Sequence, residues 1–387
     1  MKILGLISGT SHDGIDAVLV DFEALGSDLL AKVIKVSDRK YPVNLRNRIL
    51  AALPPNQTDF AEMCELDTLI GQEFAALAGE FHDDGIDLVS SHGQTMFHWV
   101  DKGKALGTLQ LGQPAWIARS SGAPVLADLR IADIVAGGQG APIVPILDLL
   151  VLGGDKKVVG SLNLGGIANI TVLEKDSIRI AYDTGPASAL IDALVVRHSL
   201  DPAGFDSSGR IAARGQIHQQ LLSRLLAEPY YGQPAPKSTG KELFHINYLD
   251  GILDDLGLDL APQDLVATVT ELTAITVANE LNRQAVEKLV VGGGGVRNIT
   301  LMRSIEEKTG LESIPFSSYG LAGDLKEALA MALIGWLSIH NLPATSPATT
   351  GAKTRSILGN LTAGPAGFPI PQGPTQLPKR LVVSGDN

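Results

Sequence analysis

The chain has 387 residues, of which 45% are hydrophobic and 19% are charged. This composition is typical of a globular protein that is long enough for two domains, each with its own core. The formal net charge of −11 disfavours nucleic acid as the main partner, because a phosphate backbone is bound by clustered Lys and Arg. No stretch has the length and apolar character of a membrane span or a signal peptide, so we expect a cytoplasmic protein with no membrane partner.

The first predicted strand ends in a turn rich in glycine and hydroxyl residues, SGTSHDGID at residues 8 to 16. The two glycines allow positive φ and close backbone approach, so that successive N–H groups can point at an anion, and Thr10 and Ser11 add hydroxyl donors. Asp13 could hold Mg²⁺, which prefers one or two carboxylates together with phosphate oxygens. These features favour a phosphate-binding hairpin, and an ordinary Gly/Ser/Asp turn is the alternative.

The next elements predict a mixture of helices and strands. Residues 58 to 82, which include the single cysteine, Cys64, have helical apolar spacing, and we expect this thiol to be buried in the core. Short strands are predicted around residues 87 to 90 and 107 to 112, so the sheet is expected to be parallel or mixed. The histidines of HGQTMFH, at 92 and 98, lack the spacing and adjacent acid of a zinc-protease motif, which favours polar substrate contacts over metal ligation.

Residues 158 to 172 repeat the plan of the first hairpin, with an apolar strand, a Gly-rich turn at residues 165 to 169 and a returning strand. We interpret this repeat as a weak internal duplication. Two similar domains, each offering a Gly-rich hairpin to a shared cleft, would hold one nucleotide from both sides.

Asp183 follows the next predicted strand, with a turn at residues 184 to 186 and a helix at residues 187 to 197. In open α/β sheets, ligands bind and catalytic side chains are displayed at the carboxyl ends of strands. Capping of the following helix is the alternative role for this carboxylate.

A further strand at residues 289 to 291 runs into four glycines, residues 292 to 295, and then into a helix. This order suggests a flat surface for a purine or ribose, although neither a dinucleotide fingerprint nor a P-loop motif occurs in the chain. Residues 362 to 387 are rich in Pro and Gly and lack periodicity, which predicts a flexible tail.

Nine segments carry long, ordered motifs: SGTSHDGID (8 to 16), SSHGQTMFH (90 to 98), TLQLGQP (108 to 114), ADLRIADIVAGGQGAPIVP (127 to 145), NLGGIANIT (163 to 171), DTGPASALID (183 to 192), PKSTGKELF (236 to 244), TELTAITVA (270 to 278) and GGGGVRN (292 to 298). Together they resemble the anhydro-N-acetylmuramic acid kinase family, from about residue 3 to Gly359. The resemblance implies an α/β, two-domain hexokinase/actin-like fold, related to ribonuclease H, with ATP in an interdomain cleft. We expect an N-terminal domain of residues 1–127 with about 345–361, and a C-terminal domain of residues 128–344.

The resemblance also implies the reaction. The family opens the 1,6-anhydro bridge of 1,6-anhydro-N-acetylmuramic acid with water and transfers the ATP γ-phosphate to the freed O6, which gives N-acetylmuramic acid 6-phosphate in cell-wall recycling. Asp183 is then the catalytic residue, which takes a proton from the attacking water. ATP and Mg²⁺ are the expected cofactors, an anhydrosugar is the substrate, and we expect a homodimer.

The implied site residues form two groups. ATP and its phosphates are assigned to Gly9, Thr10, Ser11, His12, Asp13, Gly14, Ile15, Asp16, Gly165, Gly166, Gly292, Gly293, Gly294, Gly295 and Asn298, with Asp13 also as the Mg²⁺ ligand. The sugar is assigned to His92, Gln94, Thr95, His98, Arg130 and Glu327. Arg130 offers a planar donor fork to a substrate carboxylate or phosphate, and a structural ion pair with Asp128 or Asp133 is its alternative role.

Two departures from the family pattern occur. The family usually has GPGN after the catalytic Asp-Thr, whereas this chain has Gly185-Pro186-Ala187-Ser188, and it usually has Met in place of His12. Substrate contacts near Ser188 therefore stay open. A kinase of another anhydrosugar, such as levoglucosan, is the alternative function, and an actin-like nucleotide switch is a second one, which would need polymer contacts and no base.

Overall fold

The computed structural model describes residues 1–9, 11–54, 56–235, 237–240, 243–320, 325–368 and 376–384. The chain divides into two compact units. The first unit comprises Met1–Gly153 and Tyr319–Asn387, and the second comprises Gly154–Ser318. Each unit has its own mixed sheet with packed helices, which confirms the expected two-domain α/β fold.

The first unit contains the following strands and helices: β1 (Lys2–Ser8), β2 (Gly14–Leu25), β3 (Asp28–Lys40), α1 (Val43–Ala52), α2 (Phe60–Gly79), β4 (Leu88–Asp101), β5 (Lys104–Leu111), α3 (Pro114–Ser121), β6 (Val125–Ala127), α4 (Ile131–Val135), α5 (Pro145–Leu152), α11 (Lys326–Ile339), α12 (Pro347–Thr350), β12 (Asn360–Thr362) and β13 (Arg380–Ser384). The sheet has the order β12-β6-β4-β1-β2-β3-β13, and β5 pairs with β4. Strands β1, β2 and β3 form an antiparallel meander, and β4 lies parallel to β1.

The two faces of β1 are covered by different helices, as the alternation of side chains along a strand requires. Leu4 and Leu6 belong to a core cluster that also contains Phe74 of α2. On the opposite face, a Cβ at Gly5 would lie 2.1 Å from the backbone oxygen of Ala328 in α11. Helix α11 therefore packs directly on β1, and only glycine fits at this position of the strand.

This packing corrects the expected domain boundaries. The first unit extends to Gly153 and resumes at Tyr319, whereas the sequence suggested residues 127 and 345. The physical reason is α11, which belongs with β1, and a buried ion pair of 2.6 Å between Lys326 of α11 and Asp148 of α5. Residues 128–153 and 319–344 thus belong to the first unit.

Two further expectations need correction. The tail is not wholly irregular, because β13 pairs in parallel with β3 and buries Leu381, and its Leu-Val-Val run suits an edge strand. Residues 369–375 and 385–387 lie outside the described residues. Cys64 is exposed, because it lies off the buried stripe of α2, which includes Leu66 and Ile70.

The second unit contains the following strands and helices: β7 (Val158–Leu164), β8 (Ile167–Glu174), β9 (Ser177–Pro186), α6 (Ser188–Arg197), α7 (Gln219–Leu226), α8 (Ile246–Leu256), α9 (Pro262–Arg283), β10 (Lys288–Gly292), α10 (Ile299–Thr309) and β11 (Ser313–Pro315). The sheet has the order β11-β10-β7-β8-β9. Strands β7, β8 and β9 form an antiparallel meander, and β10 lies parallel to β7. The plan of β1 to β4 is thus repeated.

One core cluster joins the second sheet to its helices. Leu162 of β7 and Ile170 of β8 pack with Val277 of α9 and Ile305 of α10. A second cluster joins α6, α7, α8 and α9. In the part of the chain that the structure describes, no helix has both the length and the apolar character that a bilayer crossing requires.

Candidate active site

The side chain of Gln94 holds the turn between β1 and β2 at the end of β1. The Ser8 hydroxyl lies 2.7 Å from the Gly14 carbonyl oxygen and 2.7 Å from Oε1 of Gln94. The Gln94 Nε2 donates to the Gly9 carbonyl oxygen at 3.4 Å, and its side chain is fully buried. Gln94, which was assigned to the sugar from the sequence, therefore supports the turn at Ser8 and Gly9.

The tip of the turn is polar and open. A Cβ at Gly9 would meet only the Ser11 hydroxyl, at 4.0 Å. Positive φ (53°) is adopted by His12 and not by the glycines of the turn, and histidine is among the residues that tolerate this region. The His12 carbonyl accepts a hydrogen bond from Nε of Arg46 at 3.1 Å. Thr10, a predicted phosphate ligand, lies outside the described residues.

Asp13 is half exposed on this tip and is held by two partners. Its carboxylate accepts from the Ser11 hydroxyl and lies 3.2 Å from Nζ of Lys40. Partial burial alone would raise the pKa of Asp13, but the Ser11 hydrogen bond and the Lys40 charge outweigh it and hold the pKa below its usual value. The Asp13 carboxylate is therefore ionised at neutral pH.

Asp16 follows at the start of β2. Desolvation is the main cause that raises its pKa to about 6, and repulsion by Asp13 and Glu327 adds to it, while Lys40 opposes the shift. Because the side chain still has substantial contact with solvent, this repulsion is partly screened. Asp13, Asp16 and Glu327 thus create a negative region on the first unit.

The remaining predicted residues of this turn have structural roles. Ile15 is buried in the core with 1% exposure. A Cβ at Gly14 would lie 2.6 Å from the backbone oxygen of Arg39, so the residue permits the close pairing of β2 with β3.

His92 and Arg130, both assigned to the sugar from the sequence, form a hydrogen-bonded pair. His92 is 3% exposed, and its Nε2 accepts a hydrogen bond of 2.8 Å from Nε of Arg130. Its Nδ1 therefore carries the proton and donates to the Gly93 carbonyl oxygen at 3.0 Å. Burial, with a smaller contribution from Arg130, lowers the pKa of His92 to about 3, so the ring stays neutral and positions the guanidinium.

Arg130 has a second anchor, because its Nη1 donates to the Gly140 carbonyl oxygen at 2.8 Å. The two carboxylates considered as ion-pair partners have hydrogen bonds of their own. Asp128 accepts from Nδ2 of Asn360 at 3.0 Å, and Asp133 accepts from the backbone N–H of Gly140 at 2.8 Å and from Thr350 at 2.7 Å. The Arg130 side chain is therefore held at two points, by His92 and by Gly140.

Thr95 and His98 lie in a hydrogen-bonded group on β4 and β5. Nε2 of Gln110 donates to the hydroxyls of Thr95 (3.2 Å) and Thr108 (2.7 Å), and Nδ1 of His98 lies 3.2 Å from the Thr108 hydroxyl. Burial, with the charge of Arg130, lowers the pKa of His98. Thr108 and Gln110 were not singled out from the sequence, although both belong to the TLQLGQP motif.

In the second unit, the turn between β7 and β8 is tightly fixed. The Gly165 carbonyl accepts from the backbone N–H of Ser188 at 3.0 Å, and the Gly166 carbonyl accepts from those of Ala187 (2.9 Å) and Ala189 (3.0 Å). The first N–H groups of α6 are thus satisfied by the turn itself. This turn is therefore fastened to the start of α6.

The four-glycine segment packs on the same turn. Gly293 has φ 84° and ψ 167°, and a Cβ there would lie 2.6 Å from the Leu164 carbonyl oxygen. A Cβ at Gly295 would lie 2.7 Å from Cβ of Leu164, whereas one at Gly294 would meet nothing within 4 Å. Gly294 is thus the open position of this surface.

Asn298 has a capping role. Its Oδ1 accepts from the backbone N–H of Leu301 at 2.9 Å, which caps the N-terminus of α10, and the residue is 8% exposed. This residue was assigned to ATP from the sequence, and the structure gives it a helix-capping contact.

Asp183 lies in a row of polar positions across the second sheet. Gly292 of β10 pairs with Asn163 of β7, Asn163 pairs with Asn169 of β8, and Asn169 pairs with Asp183 of β9. Paired residues share one face of a sheet. The two asparagines were not identified as site residues from the sequence, although they stand in the NLGGIANIT motif.

The Asp183 carboxylate is oriented by a distant segment. Its Oδ2 accepts from the Ser238 hydroxyl at 2.8 Å and from the backbone N–H of Thr239 at 3.0 Å. Strand β9 continues to Pro186, so the predicted turn at residues 184 to 186 is part of the strand. Helix α6 begins only at Ser188 and has no side-chain cap. Asp183 is therefore not the cap of α6.

Cavity size does not identify the site. A cavity of about 410 Å³ borders Glu287 and Lys288 at the start of β10, at the opposite end of the strand from Gly292. A smaller one of about 160 Å³ borders Thr184 and Glu280. Among the described residues, no group of three or more His, Cys, Asp or Glu side chains could hold a metal ion, so a metal at Asp13 would need oxygens from a bound phosphate.

Comparisons with known proteins agree with the motifs. Residues 1–364 match the model of the family described as anhydro-N-acetylmuramic acid kinase. The anhydro-N-acetylmuramic acid kinase of Streptomyces avermitilis is 46% identical and covers 99% of this chain and 100% of its own length. The protein of the same name from Caldanaerobacter subterraneus is 36% identical over 93% of this chain and 96% of its own length.

Solved structures show a looser likeness. A ROK family glucokinase from Streptomyces griseus, in complex with glucose and AMPPNP, is 14% identical with a TM-score of 0.37, and covers 87% of this chain and 99% of its own. The activator of 2-hydroxyisocaproyl-CoA dehydratase from Clostridium difficile, with bound ADPNP, is 12% identical with a TM-score of 0.43, and covers 87% of this chain and 94% of its own.

Proposed function

The chain belongs to the anhydro-N-acetylmuramic acid kinase family and is a kinase of that family, and we propose how its own residues carry out the reaction. The enzyme opens the 1,6-anhydro bridge of 1,6-anhydro-N-acetylmuramic acid with water and phosphorylates O6 at the expense of ATP. The observation that carries the proposal is the oriented Asp183 carboxylate, next to Asn169 in the polar row of the second sheet.

Asp183 acts as the general base. It takes a proton from a water molecule as the water oxygen attacks the anomeric carbon, C1. The bond between C1 and O6 breaks, and O6 attacks the γ-phosphorus of ATP, so that ADP leaves. Most of the rate acceleration comes from positioning and from charge stabilisation at the transferred phosphoryl group.

The turn at residues 8 to 14 binds the phosphates through its backbone N–H groups and its hydroxyls, and Gly292 to Gly295 offer a flat surface to the adenosine. Mg²⁺ is part of the proposal, and when bound it neutralises phosphate charge. The donor set fits this ion when phosphate oxygens complete it, because Asp13 is ionised and partly exposed, and because a cation would relieve the repulsion of Asp16 by Asp13 and Glu327.

Arg130 is proposed to bind the lactyl carboxylate of the substrate. Its guanidinium is held in place by the neutral His92 and by the Gly140 carbonyl, and a fixed guanidinium suits bidentate recognition of a carboxylate. Levoglucosan lacks a carboxylate, so this arrangement favours the muramic acid derivative over it.

The decisive experiment follows the solvent oxygen. In ¹⁸O water, the label should appear on C1 of the early product, while O6 keeps the bridge oxygen and carries the phosphate. Mass spectrometry with fragment assignment reads both positions. Early product without label at C1, or phosphate on an intact anhydro ring, would contradict the coupled mechanism and favour an ordinary sugar kinase.

Two controls complete the test. Levoglucosan as substrate should give a much lower kcat/KM, and Arg130→Gln should reduce this preference by lowering activity on the muramic substrate alone. Equal losses on both sugars would show that Arg130 does not recognise the carboxylate.

A homodimer and a cytoplasmic location are also proposed, and sedimentation analysis and cell fractionation test them.

A further inference from the structure

The segment that orients Asp183 has no regular secondary structure of its own. Residues 237–240 are described as neither helix nor strand, yet the Ser238 hydroxyl and the Thr239 N–H both hold Oδ2 of Asp183. Such a segment needs an anchor elsewhere, because an ordered irregular backbone costs conformational entropy.

The anchor is the side chain of Lys237, which is 2% exposed. Its Nζ lies 3.3 Å from Oε1 of Glu280, and it donates to the backbone carbonyl oxygens of Tyr230 (3.3 Å) and Tyr231 (3.1 Å). It also lies 4.9 Å from the centre of the Tyr230 ring. Three acceptors satisfy the three N–H donors of the ammonium group.

Glu280 connects this anchor back to Asp183. It lies on α9 with 4% exposure, and its Oε2 accepts from the hydroxyl of Tyr182 at 2.9 Å. Burial, together with the Glu280 charge, raises the pKa of Tyr182, so the phenol remains a donor. Since Tyr182 precedes Asp183 on β9, a closed ring runs from Asp183 through Tyr182, Glu280 and Lys237 to Ser238 and Thr239.

Two backbone contacts tighten this ring. The Asp183 N–H donates to the Lys237 carbonyl oxygen at 3.1 Å, and the Asp183 carbonyl oxygen accepts from the Tyr230 hydroxyl at 2.7 Å. Both ends of Asp183 and its side chain are thus fixed by groups that depend on the position of Lys237.

We propose that the buried Lys237–Glu280 pair is a positioning device for the catalytic carboxylate. A buried ion pair can usually be replaced by neutral groups of the same shape with little loss of stability. Stability alone therefore does not explain the pair, whereas the orientation of Asp183 does. The inference rests on the proposed role of Asp183 as the base, and it assigns Lys237, Glu280 and Tyr182 as positioning residues without substrate contact.

The experiment separates stability from turnover with the double variant Lys237→Met/Glu280→Gln. Glu280→Gln leaves the buried Lys237 ammonium without its carboxylate and should lower the Tm by several degrees. Lys237→Met should cost less, because Nη1 of Arg283 still lies 3.2 Å from Oε1 of Glu280. The double variant should recover most of this loss in Tm, but its kcat should stay roughly 10- to 100-fold lower than that of the wild type. Losses of this size are typical when the hydrogen-bond partner that orients a metal-binding side chain is removed. The KM for ATP and for the anhydrosugar should stay unchanged.

The matched control is Lys308→Met/Glu271→Gln, which removes an ion pair of 2.6 Å between α10 and the same helix α9. It should leave kcat unaltered. A Lys237/Glu280 double variant with wild-type kcat would overturn the proposal. If the double variant does not fold, Tyr182→Phe serves instead, because it removes one hydroxyl of the ring and keeps the ion pair. Wild-type kcat in Tyr182→Phe would then overturn the proposal.

Asp183→Asn, measured in the same assay, distinguishes a failure of the proposed base from a failure of the proposed positioning role. If it turns over normally, the base assignment itself fails. If it is inactive while the double variant has full kcat, the base assignment stands and only the positioning role is refuted.

Discussion

The turn between β1 and β2 and the turn between β7 and β8 occupy the same place in two sheets of the same plan, but they are held in different ways. The first is open at its tip, carries Asp13, and is supported mainly by Gln94 below it. The second is only two glycines long and is fastened to α6, with Gly293 packed against it. One plan thus provides an open, polar turn in the first unit and a rigid frame near Asp183 in the second.

The largest effect should come from the residue beside the rigid frame. Asp183→Asn keeps the hydrogen-bonding shape but cannot accept the proton of the water, so kcat should fall by about 10³-fold or more while ATP still binds. Calorimetry and steady-state kinetics measure the two quantities. Normal ATP binding together with near wild-type turnover would show that Asp183 is not the general base.

Gly293→Ala tests whether the second turn is a frame. The backbone conformation at Gly293 is open essentially to glycine alone, and the new Cβ would lie 2.6 Å from the Leu164 carbonyl oxygen. We expect a loss of about 3 kcal/mol in the free energy of unfolding, from strain and overpacking together. Gly294→Ala, which meets nothing within 4 Å, is the matched control and should stay within about 0.5 kcal/mol of the parent. Equal stabilities of the two variants in urea denaturation would contradict this view.

Asp13→Ala tests whether the first turn is a ligand loop. The variant should need more Mg²⁺ and show a kcat/KM for ATP that is roughly 10-fold lower, because the loop loses a carboxylate suited to the metal shell. Its Tm should change little, since Asp13 pairs with Lys40 at an exposed site. A Mg²⁺ titration of the rate gives the result. An unaltered Mg²⁺ dependence would remove the phosphate role from this turn.

The smallest effect concerns Asp16. A carboxyl whose folded pKa is raised to about 6 binds its proton more tightly in the folded state, so its ionisation destabilises the protein as the pH rises from about 4 to 6. Asp16→Asn should therefore be more stable than the parent by about 1 kcal/mol at pH 7.5, after allowance for its solvent contact. This difference should shrink towards pH 4. Denaturation at several pH values tests it, and a difference that does not vary with pH would exclude the raised pKa.

The sequence predicted the local features well. Both hairpins, the helix around residues 60 to 79 and the strand before the four glycines follow from apolar periodicity and from glycine placement. Asp183 and the first turn were singled out because their motifs are contiguous in the chain, and their roles stay predictions.

Features that depend on contacts between distant parts of the chain could not be predicted from periodicity or from contiguous motifs. The groups that orient Asp183 stand 55 and 56 residues further along the chain, and nothing local marks Ser238 or Thr239 as its partners. The neutral state of His92 depends mainly on its burial, and its tautomer depends on Arg130, which is 38 residues away. The domain boundary was misplaced because the packing of α11 on β1 leaves no local pattern.

The discontinuity of the first unit also has a consequence during synthesis. The second unit is one contiguous segment, whereas β1 is covered by α11 only after roughly 330 further residues have been made. At about 5 to 20 residues per second, the ribosome needs about 15 to 65 s for this interval. During that time the second unit can complete its fold, while one apolar face of the first sheet waits uncovered. The nascent chain is thus most exposed to aggregation at its oldest strand, and a slow stretch of translation before α11 would prolong that risk.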